Sequence, residues 1–182
     1  MALAVSGTRC ETREVKLRDK PAEMLAASPK ATVPVLVLPG GTVIDESLDI
    51  MRWALRRNDP EDWLEGDDAG LIAANDGPFK QHLDRYKYPE RHEADPVEHR
   101  VRGLDVLAAL ETRLEMHAWL CGDRQSITDA AIMPFVRQFA AVDRDWFGAQ
   151  SLPRVQGWLA KQIDSDLFAE VMVRRPVWRA GG

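Results

Sequence analysis

Thr32-Val33-Pro34-Val35-Leu36-Val37-Leu38 is a continuous apolar run with a proline at its mouth. Pro39-Gly40-Gly41 follows as a tight turn, Thr42-Val43-Ile44 as a short return strand, and Asp45-Glu46-Ser47 as an acid pair and a hydroxyl opening a helix. Proline cannot donate to a sheet ladder, so Pro34 belongs at a strand's first residue or edge. The Val33–Pro34 bond is a candidate for the cis form, which folded proteins keep mostly in tight turns. Glu46 and Ser47 sit where a helix start offers free N–H groups and the positive end of its dipole. These parts suit a small zwitterion, with strand backbone for an amide, Glu46 for an ammonium and Ser47 for a carboxylate.

Before this stretch, Met1 to Val5 is apolar and helix-compatible, with Ser6-Gly7 as its stop. Glu11 to Leu17 alternates, placing Val15 and Leu17 on one face, as a half-buried strand does. Pro21 to Ala27 reads as a short helix with proline at its favoured place. The Val35–Leu38 run predicts a strand buried on both faces.

Beyond the turn, Ser47 to Arg57 predicts a helix with Leu48, Met51, Trp53, Ala54 and Leu55 on its apolar side. Asn58-Asp59-Pro60-Glu61-Asp62 breaks it and marks a boundary. Helical patterns then take over, at Asp68 to Tyr86, Pro96 to Trp119, Thr128 to Val142 and Pro153 to Ile163. In the second of these, Val97, Val101, Leu104, Leu107, Leu110 and Leu114 recur at helical spacing. The residues therefore predict a small α/β unit over 1–58 and an all-helical unit over 63–182.

The chain has 182 residues, 45% hydrophobic and 29% charged, which is enough for one large or two small cores. A net charge of -5 argues against a general nucleic-acid binder. No apolar run approaches the ~20 residues of a membrane span, and the opening segment lacks the basic leader of a signal peptide. Cys10 and Cys121 lie too far apart for a metal or redox motif, and a reducing cytoplasmic setting is the plain reading.

Ser126-Ile127-Thr128-Asp129 is a capping box, in which hydroxyl and carboxylate each bond the other residue's backbone N–H; Gln125 supplies no hydrophobic staple. Its role is structural. His82, His92, His99 and His117 show no i, i+4 pairing of a helical metal site, so no metal is expected. Cys121, after Trp119-Leu120 near a helix end, reads as a buried inert thiol, and Cys10 as a loop residue with only Arg9 as a cationic neighbour. Trp146 and Phe147, with Trp53, either line an apolar pocket between the units or belong to the core. Lys20, ahead of the helix-opening Pro21, is either an anion contact or simply solvated.

In the order Asp19-Lys20-Pro21, Ser28-Pro29-Lys30-Ala31-Thr32-Val33-Pro34-Val35-Leu36, Asp45-Glu46-Ser47 and Leu120-Cys121-Gly122-Asp123-Arg124-Gln125-Ser126-Ile127-Thr128-Asp129, the chain resembles the cytosolic glutathione transferase family. It is most similar to bacterial cysteine-type and omega-like members. The resemblance implies a thioredoxin-like N-terminal domain, an all-helical C-terminal domain and a homodimer. It implies glutathione as co-substrate and a small hydrophobic electrophile as its acceptor, with no metal. Val33, before cis-Pro34, would pair its backbone with the cysteinyl part of glutathione. Glu46 and Ser47 would hold the γ-glutamyl end, and Lys20 would meet the glycyl carboxylate.

The same resemblance implies that the first strand and the catalytic loop lie ahead of Met1, so it assigns no catalytic residue within 1–182. A sheet without that strand would leave Glu11–Leu17 and Val35–Leu38 without a shared partner, and the N-terminal unit loose. Two functions are consistent with these residues. One is transfer of glutathione to electrophiles, or thiol–disulfide exchange. The other is a non-catalytic binding module of the same fold.

Overall fold

A computed structural model describes residues 1–179. The chain divides into two compact units, Met1–Glu61 joined by the tail from Ala169, and Asp62–Phe168.

In the first unit α1 (Ala2–Val5) ends at Gly7, whose φ of +66° is the left-handed value that glycine adopts freely. α2 (Ala22–Ala27) starts after an extended Pro21. β1 (Leu36–Val37) and β2 (Val43–Ile44) form an antiparallel pair with Leu36 opposite Ile44 and Val37 opposite Val43. Gly40 and Gly41 turn the chain at φ +103° and +88°, and the Gly41 N–H donates to the Leu38 carbonyl at 2.9 Å. α3 (Ser47–Arg57) spans the residues that the sequence predicts. Its face of Ile50, Ala54 and Leu55 is buried, and it packs against α1, where Ala2 is buried. Leu48, Met51 and Trp53 are only half-buried.

The strands depart from expectation. Among the described residues Glu11–Leu17 is not a strand; its ladder contacts there are single bridges, Glu14 to Val177 and Lys16 to Asp19. Five of its seven side chains are polar, and Leu17 is 62% exposed, so the alternation has no apolar face to bury. Its partner is the C-terminal tail, where the Trp178 N–H donates to the Glu14 carbonyl at 2.8 Å and Arg13 lies 4.7 Å from the Trp178 ring centre. Nor is Val35–Leu38 buried on both faces: Val37 is 53% exposed, because the sheet among the described residues has two strands and leaves a face uncovered.

In the second unit a 3-10 turn (Trp63–Gly66) leads to α4 (Ala69–Ala74), a π-helical turn (Asn75–Phe79), α5 (Lys80–Lys87) and α6 (Pro89–His92). Where the sequence predicts one helix over Asp68–Tyr86, Gly77-Pro78 forces the π turn: proline has no N–H for the α pattern and its ring crowds the preceding turn. α7 (Pro96–Met116), α8 (Ile127–Val142), α9 (Arg144–Gly148), α10 (Pro153–Ile163) and α11 (Asp166–Val171) complete the helices. α9 and α11 were not expected from periodicity, being too short to show one.

α7 ends before Trp119, so Cys121 lies in a Trp119–Gly122 turn and is half-buried rather than sealed in a helix end. Leu107, Leu110 and Leu114 are buried, whereas Val97 and Val101 are about half exposed. Where the apolar stripe passes Gly103 the ring of Phe139 fills the space instead: a Cβ there would lie 2.4 Å from it. Trp63, Phe79, Ile127, Val136, Phe139 and Val155 form the centre of this unit.

The capping box at Ser126 is complete, and the Asp129 carboxylate does more than cap. It is fully buried and accepts from the backbone N–H of Ser126 at 3.0 Å and of Leu120 at 2.9 Å, and from the Trp158 indole N–H at 2.8 Å. One carboxylate thus ties the turn before α8 to α10. Thr128 adds a second tie, accepting from the Asp68 N–H at 2.9 Å and donating to the Gly66 carbonyl at 2.6 Å.

Candidate functional site

The start of α3 is built by the loop that precedes β1. Ser28 is buried and donates its hydroxyl to the Asp45 carboxylate at 3.1 Å. Lys30 reaches both acids, at 3.2 Å from Asp45 and 2.8 Å from Glu46. Ala31 stands at φ +54°, a left-handed conformation that costs a non-glycine residue ~1–2 kcal/mol, and its N–H donates to the Ser28 carbonyl at 3.0 Å. That reversal carries the chain from Lys30 to Val33. The Val33–Pro34 peptide bond is cis.

Ser47 is the first residue of α3, and Glu46 precedes it in extended conformation. The first intrahelical bond is made by the Ile50 N–H to the Glu46 carbonyl at 3.0 Å, so the N–H groups of Ser47, Leu48 and Asp49 precede the ladder. Glu46 and Ser47 are exposed, and the Ser47 hydroxyl makes no hydrogen bond among the described residues. The arrangement offers a carboxylate, a hydroxyl and free helix-start N–H groups at one spot, the chemistry that a zwitterion needs.

Electrostatics at this spot follow from Lys30. Its ammonium, with the Ser28 hydroxyl, holds the Asp45 carboxyl below the usual carboxylate range, and the two acids in turn raise the Lys30 ammonium above its usual value. These are exposed pairs, screened by solvent, so an incoming ammonium can replace Lys30 at Glu46 at small cost. Lys30, Asp45 and Ser28 were not singled out from the sequence, since Lys30 stands 16 positions from its partner Glu46 and no local pattern joins them.

Among the sequence candidates, Glu46 and Ser47 adjoin, and the Ser28–Asp45 and Lys30–Glu46 contacts bring the loop leading to Val33 and Pro34 onto the same helix start. Lys20 is half-buried and bonds to none of them. Val33 and Pro34 are exposed. Phe147 is buried, and Trp146 meets Phe139 and Tyr86 edge to face at 6.1 and 6.3 Å, with the Arg100 guanidinium 4.3 Å from its ring centre. Phe147 belongs to the core of the second unit, and Trp146 is half-buried at its edge. Trp53 lines cavities within the first unit. Among the described residues no three His, Cys, Asp or Glu side chains gather as a metal site would require, and no helix is long and apolar enough to cross a membrane.

Residues 1–63 match the sequence model of the glutathione S-transferase N-terminal domain, and residues 61–161 that of the C-terminal domain. No curated protein is significantly similar in sequence. Among solved structures, a glutathione S-transferase from Rhodospirillum rubrum is 20% identical over 96% of this chain and 86% of that one, with a TM-score of 0.74. Gtt2 from Saccharomyces cerevisiae is 19% identical over 94% and 92%, with a TM-score of 0.69. A glutathione S-transferase I bound to lactoylglutathione is 20% identical over 93% and 89%, with a TM-score of 0.73. At such identities these likenesses bear on the fold alone.

Proposed function

Because this chain belongs to the glutathione S-transferase family, with a thioredoxin-like first unit carrying a small sheet and a helical second unit, we propose that it binds glutathione at the start of α3. The γ-glutamyl ammonium displaces Lys30 at Glu46, and the γ-glutamyl carboxylate meets the Ser47 hydroxyl and the helix-start N–H groups. The Val33 backbone pairs with the cysteinyl amide, and Lys20 takes the glycyl carboxylate. The observation that carries this reading is the set of exposed groups at Glu46 and Ser47, held in place by Ser28 and Lys30.

The chemistry that follows is attack by the glutathione thiolate on a small hydrophobic electrophile, or thiol–disulfide exchange, as in bacterial cysteine-type and omega-like members. A cytoplasmic homodimer is part of the same reading. A non-catalytic binding module is the second reading. The groups gathered at α3 bind rather than react.

Thermal unfolding in millimolar glutathione tests the binding. A ligand that occupies only the folded state at 100 times its Kd stabilises by about 2.7 kcal/mol, which raises the midpoint by roughly 5–11 °C for a chain of this size. An unchanged midpoint contradicts the proposal. Turnover of an activated aryl halide or of a glutathione mixed disulfide then separates the readings: a midpoint shift without turnover selects the binding module.

A further inference from the structure

Charge is unevenly spread along the chain. The tail from Val171 to Arg179 carries Arg174, Arg175 and Arg179 and no acidic residue. The stretch from Arg9 to Arg18 carries Arg9, Arg13, Lys16 and Arg18 against Glu11 and Glu14. Seven basic and two acidic side chains thus fall in two short segments of a chain whose net charge is -5.

The fold of the first unit joins these segments. Val177 bridges Glu14 in parallel, the Trp178 N–H donates to the Glu14 carbonyl at 2.8 Å, and the Arg13 guanidinium lies 4.7 Å from the Trp178 ring centre. A chain advances at most ~3.6 Å per residue, so Arg174, Arg175 and Arg179 stand within about 11 Å of Val177, and Arg13 and Lys16 within about 7 Å of Glu14. The seven basic side chains are exposed. So are apolar side chains among them: Leu17, Met172, Val173 and Val177, with Val173 61% exposed beside Arg174.

Exposed arginines alone select any polyanion. Exposed aliphatic side chains between them select a partner that is apolar beneath its charge, and they gain nothing against the phosphates of a nucleic acid. An anionic lipid surface offers both, with headgroups for the guanidinium groups and an acyl boundary for Leu, Met and Val. We propose that the tail and the stretch it pairs with form one surface that docks the protein on an anionic lipid bilayer. Arg174 and Arg175 lie among the headgroups, and Met172 and Val173 enter the boundary beneath them.

Flotation of the whole chain with vesicles of phosphatidylcholine, and of phosphatidylcholine mixed with phosphatidylserine, tests it. The expected result is binding to the mixed vesicles, none to the neutral ones, and release as salt is raised. Each basic residue near an anionic surface strengthens binding roughly fivefold, so the double variant Arg174→Gln, Arg175→Gln binds about 25-fold more weakly. The double variant Met172→Ser, Val173→Ser binds roughly tenfold more weakly, for the apolar area it no longer buries. All four side chains are exposed, so the unfolding midpoint of either variant stays within a few degrees of wild type. Glu46→Gln and saturating glutathione leave flotation unchanged, so this proposal and the glutathione reading fail separately. Absence of binding to the mixed vesicles, equal binding to the neutral ones, or wild-type binding by the arginine variant overturns the proposal. Wild-type binding by the serine variant, with duplex DNA or polyglutamate displacing the chain, also overturns it, because charge alone is then recognised.

Discussion

Glu46 and Asp129 are both carboxylates, and their surroundings give them opposite roles. Glu46 is exposed, and among the described residues its side chain pairs with Lys30. Replacing it by glutamine therefore changes folding stability by less than ~1 kcal/mol. On the proposed glutathione reading, the same replacement removes a charge-assisted bond to the ligand ammonium, so glutathione affinity is expected to fall by roughly one to two powers of ten, from the ~1.5–3 kcal/mol of such bonds. Asp129 is fully buried and serves three N–H donors. Asp129→Ala strands all three, at ~1–3 kcal/mol each, and denaturant unfolding will show a loss of at least ~3 kcal/mol. A loss under ~1 kcal/mol would mean that water replaces the carboxylate. The capping role of Asp129 was legible because it is local, three residues from Ser126. Its bonds to Leu120 and Trp158 were not, because they depend on how α8 meets α10.

At the scale of elements, the contact between α5 and α7 carries a pH dependence. His82 and His99 approach with their Nδ1 atoms 2.9 Å apart, so one must donate and the other accept, which a doubly protonated pair cannot do. Burial, His99, Arg102 and Arg85 lower the His82 pKa, while Glu98 opposes them. The folded state thus resists a proton that the unfolded chain accepts near pH ~6.5. Stability from this pair is complete above that pH and is lost as pH falls below it towards the lowered folded value. Unfolding free energies at pH 7.5 and 5.5 will differ, and His82→Phe will reduce the difference; an unchanged difference contradicts the assignment.

Helices were legible wherever an apolar period ran for ten residues or more, as in α3, α7, α8 and α10. The π turn was not read, although Gly77-Pro78 signals it. Glu11–Leu17 misled because alternation alone does not make a strand; a strand needs a neighbour, and its neighbour here is a single bridge to the tail.

For the whole molecule, side-chain ties between elements are unevenly distributed between the units. The second unit is cross-tied by Asp129, Thr128 and the Arg113–Asp68 pair at 2.6 Å. The first unit has a sheet of two short strands and an exposed stretch from Arg9 to Asp19 that carries Arg13, Lys16 and Arg18. Limited trypsin digestion will cut first in that stretch and leave a fragment containing residues 62–168; first cuts within α7 or α8 would contradict this account. The succession of a small α/β unit and a helical unit was legible from the change in periodicity at Asn58–Asp62. The return of the tail from Ala169 to the first unit was not, because nothing local in its sequence names Glu14 as its partner.

The central claim is that the start of α3 recognises glutathione. Calorimetric titration of glutathione into the wild-type chain and into Glu46→Gln tests it most directly. The account predicts a single site in the wild type that weakens at least tenfold in the variant while the unfolding midpoint without ligand stays within a few degrees. No heat of binding to a folded wild-type chain, or equal affinity in the two proteins, would contradict it.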